Sequence, residues 1–290
     1  MTTTSNTNVS NTLGKVYLVG AGPGAVDLIT VRGAKLLEQA DIVFYDALVD
    51  PEMLKLCPQA IQVEVGKRCG KLSSAQQFIN KRLVDAAQKY SLVVRLKGGD
   101  PMLFGRADEE ITALKQAGVE VGVVPGITAA LAGAASLQQS LTLRGISRSV
   151  AFITLAQATE SNPNPDESAI QPIANPSADT LVYYMGRKDA AKIAQQLIKQ
   201  SATTGGSTPT AIHSSDTPVH ILEAVSTSRE RLWSSTLEKL AAGHADDWFD
   251  SKSPALIMIG RALKTSESSS PEIDNSLQDS QIIANSIRRA

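Results

Sequence analysis

Lys97-Gly-Gly-Asp-Pro101 and Phe104-Gly-Arg106 are the residues of this chain whose types and spacing point first to chemistry. Two adjacent glycines let the backbone pass close to a ligand, and Asp-Pro favours a turn. Lys97, Asp100 and Arg106 surround those glycines with charge. The apolar, β-branched run Leu92–Leu96 precedes them and a helical pattern begins at Ala107. A strand, a glycine elbow and an arginine at a helix mouth describe a ligand site at the carboxyl end of an α/β strand. Two further elbows accompany it. Gly20, Gly22 and Ala25 formally satisfy GxGxxG/A, and Asp46 ends the next strand about 20 residues on. Those residues read either as a dinucleotide fingerprint or as a tight turn with a strand-end aspartate. Pro23 removes a backbone donor where a pyrophosphate needs one. Val124-Pro-Gly-Ile-Thr128 is the third elbow. Its unpaired N–H groups suit a carboxylate or ribose oxygens, or Thr128 is only an N-cap. Together the three loops fit a small ligand, partly apolar and partly zwitterionic.

Basic residues fall at strand ends or in loops: Lys67, Arg68, Arg95, Lys97, Arg106, Arg144, Arg148, Arg187 and Lys188. Arg95, Arg148 and Lys188 are expected to face solvent. Arg106 and Arg144 each lie beside a helix start, where two-pronged contacts could hold a carboxylate-bearing substrate. Glu109, three residues past Arg106 on the same helical face, is either its ordinary partner or a group that positions it. Net charge is −1, so no global field recruits nucleic acid or an acidic membrane, and a polyanion must be met by a local basic patch. His213, His220 and His244 lack metal-site spacing, and Cys57 and Cys69 read as free thiols of a reducing compartment. No apolar run reaches membrane-spanning length and the N-terminus lacks the blocks of a signal peptide, so the cytoplasm is the expected location.

Alternating strands and helices must position these loops. Strands are expected at Lys15–Val19, Ile42–Tyr45, Ile61–Val65, Leu92–Leu96 and Val121–Val124, forming a mostly parallel sheet with helices on both faces. Thr30 caps a helix through Ala40 with Val31, Ala34, Leu37 and Ala40 inward. Ser74–Tyr90 is amphipathic, its stripe being Ala75, Phe78, Ile79, Leu83, Ala86, Ala87 and Tyr90. Further helices are expected at Asp108–Ala117 and Thr128–Leu137. A linker, 138–149, leads to a second α/β domain, 150–263. Its expected strands are Val150–Leu155, Thr180–Tyr184, Thr210–His213, Val219–Val225 and Ala255–Ile259. Its expected helices are Lys188–Gln200 and Leu232–Ala242. The first domain is 14–137. Residues 1–13 and 264–290 are polar tails, and 157–179 is an expected surface loop.

The assembled motifs resemble the tetrapyrrole methyltransferases, and within them the uroporphyrinogen-III C-methyltransferases. The resemblance rests on VYLVGAGPG and DLIT between positions 16 and 30, then YDALV (45–49), VGKR (65–68) and VVRLKGGDPMLFGR (93–106). It continues through VVPGITAA (123–130), LTLRG (141–145), LVYYMG (181–186) and PALIMIGRA (254–262). It implies two α/β domains with S-adenosylmethionine in the cleft between them, a homodimer, and methylation of uroporphyrinogen III at C2 and C7 to give precorrin-2. It implies cofactor contacts at Pro23, Gly98, Gly99, Asp100, Leu103, Thr128, Ala129 and Met185. Asp46 matches the family's proton acceptor and Lys67 its proton donor. Arg106, Glu109, Arg144 and Met185 match residues that hold the tetrapyrrole, with Glu109 a candidate for a pyrrole N–H. Leu143 stands where the family usually has histidine. Thr154-Leu-Ala156 and Ser214-Ser-Asp216 depart from its TGH and NGT patterns.

Overall fold

In the computed structural model the described residues are 13–65, 72–154, 177–203 and 213–263. Lys67, Arg68 and Cys69 lie outside them, as do most of both expected tails, residues 157–176 of the expected loop and residues 210–212 of an expected strand.

Five strands make the first sheet: β1 (Lys15–Gly20), β2 (Ile42–Tyr45), β3 (Ile61–Glu64), β4 (Leu92–Lys97) and β5 (Val121–Val124). All pairings are parallel, in the order β3-β2-β4-β1-β5. Parallel strands are covered on both faces and so need near-continuous apolar runs. Val16, Leu18, Phe44 and Val93 pack on one face beneath α2 (Leu72–Ala87) and α3 (Ala107–Gln116). Val19, Val43, Val94 and Leu96 pack on the other beneath α1 (Val31–Gln39) and a 3-10 turn, Pro51–Leu56.

Thr30 caps α1 as expected, its hydroxyl accepting from Gly33 N at 3.1 Å. Val31 is not inward: it is 71% exposed, and Gly33 and Leu37 take the sheet-facing positions. A Cβ on Gly33 would stand 3.0 Å from Val19 Cγ1, so the helix approaches the sheet through that glycine. On α2 the stripe holds at Ile79, Leu83, Ala86 and Ala87. Phe78 instead turns outward, where the Arg82 guanidinium lies 5.5 Å from its ring centroid.

The second sheet is mixed. It comprises β6 (Val150–Thr154), β7 (Thr180–Tyr184), β8 (Pro218–Glu223), β9 (Arg231–Thr236) and β10 (Ala255–Gly260), in the order β6-β7-β10-β8-β9. Among the described residues, only the β6–β7 pairing is parallel. Leu181, Tyr183, Ile221 and Ile257 form one core with α5 (Ala190–Thr203) and α6 (Leu237–Ala241). The helix expected from Leu232 starts only at Leu237. Residues 231–236 instead pair along β8, with Leu232 outward and Trp233 packed on the core. The ladder to β8 gives partners to the inward half of the backbone of this short edge.

The helix α4 (Ala129–Ser136) follows β5 of the first sheet but buries Ala130, Ala132 and Ala134 against Val182, Leu222, Leu256 and Met258 of the second. Small residues permit this close packing; a Cβ on Gly133 would meet Leu256 Cδ2 at 3.2 Å. Among the described residues, no helix is long and apolar enough to cross a membrane.

Candidate active site

The strands β1 and β4 are neighbours whose chains leave in opposite directions, β1 toward β2 and β4 toward β5. The crevice outside their carboxyl ends is where open α/β sheets hold ligands. Here the glycine loops lock together. Gly99 N donates to Gly22 O at 2.7 Å, and Gly22 N to Gly99 O at 3.2 Å. A Cβ on Gly126 would fall 2.2 Å from Gly99 O and 2.8 Å from Gly20 Cα, so no other residue fits there. Asp100 closes the arrangement, with Oδ2 accepting from Gly126 N and Oδ1 from Met102 N, both at 2.8 Å. The Gly99 Cα face stays open, since a Cβ there would meet nothing within 4 Å.

The same loops meet the second sheet. Ala25 N donates to Ser226 Oγ at 3.0 Å, and a Cβ on Gly24 would lie 2.5 Å from Thr227 Cγ2. Thr128 Oγ1 lies 2.6 Å from the Tyr184 hydroxyl, which also accepts from Ala130 N at 3.1 Å. The Tyr184 ring meets Phe104 edge-on with centroids 5.1 Å apart. Phe104, Arg106, Met185, Ala224 and Ser226, all in loops that converge here, have φ between 48° and 63°. Left-handed backbone at non-glycine residues costs of order 1–3 kcal/mol each and clusters at functional sites.

Asp46 ends β2 beside this crevice. Its Oδ1 accepts from Leu48 N at 3.0 Å, and a Cβ on Gly98 would lie 3.7 Å from the same oxygen. Its Oδ2 is 3.6 Å from Arg95 Nη2. Arg95 therefore does not face solvent. It is buried, with Nε 3.1 Å from Glu110 Oε1 and Nη1 donating to Leu96 O at 2.9 Å. Lys97 Nζ reaches Glu110 Oε2 at 3.1 Å, and Gln76 Nε2 donates to Oε1 at 3.3 Å. Burial pushes Lys97 below the ordinary lysine range, and the Arg95 charge adds to this, while Glu110 opposes it. The sequence carries the signal for this cluster. Two cations at i and i+2 share one face of a buried strand, and Glu110 falls between Ala107 and Leu114 on the inward face of α3.

Arg106 occupies the N-cap position of α3 without a side-chain capping bond and forms a two-pronged pair with Glu109, Nε to Oε1 at 2.7 Å and Nη2 to Oε2 at 2.9 Å. The pair is solvent-accessible, and three acidic residues in the first turn complement the helix dipole. The structure thus gathers Gly98, Gly99, Asp100, Thr128 and Ala129 around one crevice, with Asp46 at its edge. Met185, exposed, follows Tyr184, and Leu103 N donates to Asp100 O at 3.3 Å. Pro23 lies in the loop between Gly22 and Gly24. Arg144 stands on a separate exposed turn, closed by Leu143 N donating to Ser147 O at 2.9 Å. Tyr184, Arg95, Glu110 and Ser226 are the contributors that sequence motifs did not single out.

Comparison with known proteins agrees with this architecture. Residues 15–241 match the family of tetrapyrrole (corrin/porphyrin) methylases. The uroporphyrinogen-III C-methyltransferase of Pseudomonas aeruginosa is 40% identical over 253 residues, covering 87% of this chain and 95% of that protein. The siroheme synthase of a Psychrobacter species is 39% identical over 253 residues, 87% of this chain but 48% of that protein, so the chain spans about half the length of such relatives. The crystal structure of uroporphyrin-III C-methyl transferase from Thermus thermophilus complexed with S-adenosylhomocysteine superposes with a TM-score of 0.67 at 35% identity. That superposition covers 87% of this chain and 94% of the other. A match over most of the chain, carried by a parallel sheet, a second mixed sheet and glycine loops between them, makes this chain a member of the tetrapyrrole methylase family.

Proposed function

We propose that the chain transfers methyl groups from S-adenosylmethionine to C2 and C7 of uroporphyrinogen III, giving precorrin-2. The observation that carries this reading is the open backbone at Gly99, in the loop that Asp100 braces against Gly126 ahead of α4, with Asp46 Oδ1 beside neighbouring Gly98. The 40% identity to the Pseudomonas aeruginosa enzyme along nearly its whole length supports the same substrate. The reading includes two domains, 14–137 and 150–263, joined by 138–149, in a cytoplasmic homodimer.

The residues present fit the cofactor. Gly99 offers open backbone and Gly98 lets the loop pass tight against Leu48, Thr128 and Ala129 offer the start of a helix, and Leu103 and Met185 apolar contact, with Pro23 and Asp100 completing the set. When bound, S-adenosylmethionine supplies an electrophilic sulfonium methyl, so the protein's task is alignment. Arg106 and Arg144 hold carboxylates of the macrocycle, and two-pronged guanidinium contacts fix its plane as well as its position. Glu109 accepts from a pyrrole N–H while orienting Arg106. Asp46 takes up the proton released as the carbon is alkylated, a role worth about 10²–10⁴-fold in rate.

Incubation with uroporphyrinogen III and methyl-labelled S-adenosylmethionine tests the reading. Two labelled methyl groups per macrocycle are expected. Label entering only a later precorrin would move the substrate, and cofactor binding without label transfer would leave a non-catalytic scaffold.

A further inference from the structure

Tyr184, one residue before Met185, touches both arms of the crevice. Its hydroxyl reaches α4, and its ring meets Phe104 of the loop after β4 at 5.1 Å and Phe152 of β6 at 6.2 Å, both edge-on. The first N–H groups of a helix have no partner within the helix and are commonly capped by the N-cap side chain. Thr128 is the N-cap residue of α4, yet its side chain makes no capping bond. Its Oγ1 instead lies 2.6 Å from the Tyr184 oxygen, and that oxygen accepts the Ala130 N–H.

We infer that Tyr184 is a positioning residue for the cofactor: its hydroxyl orders the first turn of α4 and sets the direction in which Thr128 donates. The inference rests on the cofactor assignment proposed above. A phenol has one proton and two acceptor lone pairs. The Ala130 N–H occupies one lone pair, and the inferred direction of the 2.6 Å contact gives the phenol's proton to Thr128 Oγ1. Thr128 then keeps its own proton for a ligand oxygen or nitrogen. Burial raises the pKa of Tyr184, so the phenol holds its proton. Edge contacts from two separate elements fix the ring, so the hydroxyl does not search for its partners.

Tyr184→Phe retains the ring and deletes only the hydroxyl. Titration with S-adenosylhomocysteine by calorimetry is expected to show a Kd raised by about tenfold, the effect of one lost hydrogen bond. KM for the methyl donor should rise by more than kcat falls. Thr128→Val should weaken binding similarly, Thr128→Ser should stay within about twofold of the parent, and Tyr184→Phe with Thr128→Val should bind no more weakly than the weaker single variant. Parental affinity in Tyr184→Phe, or losses that add in the double variant, overturns the inference. If Tyr184→Phe fails to fold, the Thr128 pair decides: equal affinity of the valine and serine variants overturns the relay. A parent chain that binds no S-adenosylhomocysteine defeats the cofactor assignment itself, a result distinct from parental binding that Tyr184→Phe leaves unchanged.

Discussion

Arg95 and Glu110 meet at 3.1 Å with their side chains 4% and 0% exposed. Lys97 shares the same carboxylate through its other oxygen. Removing one partner of a buried ion pair strands the rest, at about 3–5 kcal/mol. Glu110→Ala strands two cations and is expected to lower stability by at least that amount in urea denaturation. Glu110→Gln keeps an acceptor for one of them and should cost less. Equal midpoints for parent and alanine variant would show that the cluster contributes nothing to folding.

Asp100→Asn replaces one of two acceptor oxygens with an amide donor facing a backbone N–H. One of the bonds to Gly126 and Met102 must be lost. A stability decrease of about 1–3 kcal/mol is expected, the cost of leaving a partly buried donor unmatched. Affinity for S-adenosylhomocysteine should fall by about tenfold or more, because the loop that carries Gly99 loosens. Thermal unfolding and calorimetry measure the two effects, and unchanged values in both would remove Asp100 as the brace of this crevice.

His213 is buried and its Nε2 donates to Ala178 O at 2.9 Å. Burial holds its pKa below the ordinary value of 6.5, despite that bond and nearby Asp179. Protonation therefore favours the unfolded chain. The associated stability is complete above the unfolded pKa and is lost as pH falls from about 6.5 toward the folded pKa, by about 1.4 kcal/mol for each pH unit between those two values. The urea midpoint should drop as pH falls below about 6.5, and His213→Gln should reduce that drop. A variant with the parent's pH dependence would assign the effect to other groups.

Arg144 is exposed on its turn and its proposed partner is a carboxylate of the acceptor. Arg144→Ala should raise KM for uroporphyrinogen by about tenfold and leave S-adenosylhomocysteine affinity unchanged, with Arg144→Lys intermediate. The effect should shrink as salt is raised. Loss of cofactor affinity instead would place the acceptor elsewhere.

Much of this molecule is legible in the sequence because local chemistry decides it. Apolar runs of parallel strands, Thr30 before α1 and the glycine pairs at strand ends are all set within a few residues. The exceptions depend on partners far along the chain. Arg95 looks like a surface arginine until Glu110 and Asp46 are brought beside it. Leu232–Thr236 carries no decisive period of its own, and pairing with β8 makes it a strand. Tyr184 sits in a recognisable motif, but its role follows from α4 crossing to the second sheet, and nothing in either segment announces that crossing.

Because α4 leaves the first sheet through Gly126 yet buries its alanines on the second, the chain offers no clean seam for recombination. A hybrid joined before Ala129 would seat one relative's glycine loop against another's helix start. A hybrid joined after Ser136 would lay one relative's alanine face on a foreign sheet, where Leu256 already stands within a methyl group's reach of Gly133. Exchange of halves between relatives is thus expected to succeed only when both surfaces of this one short helix change together.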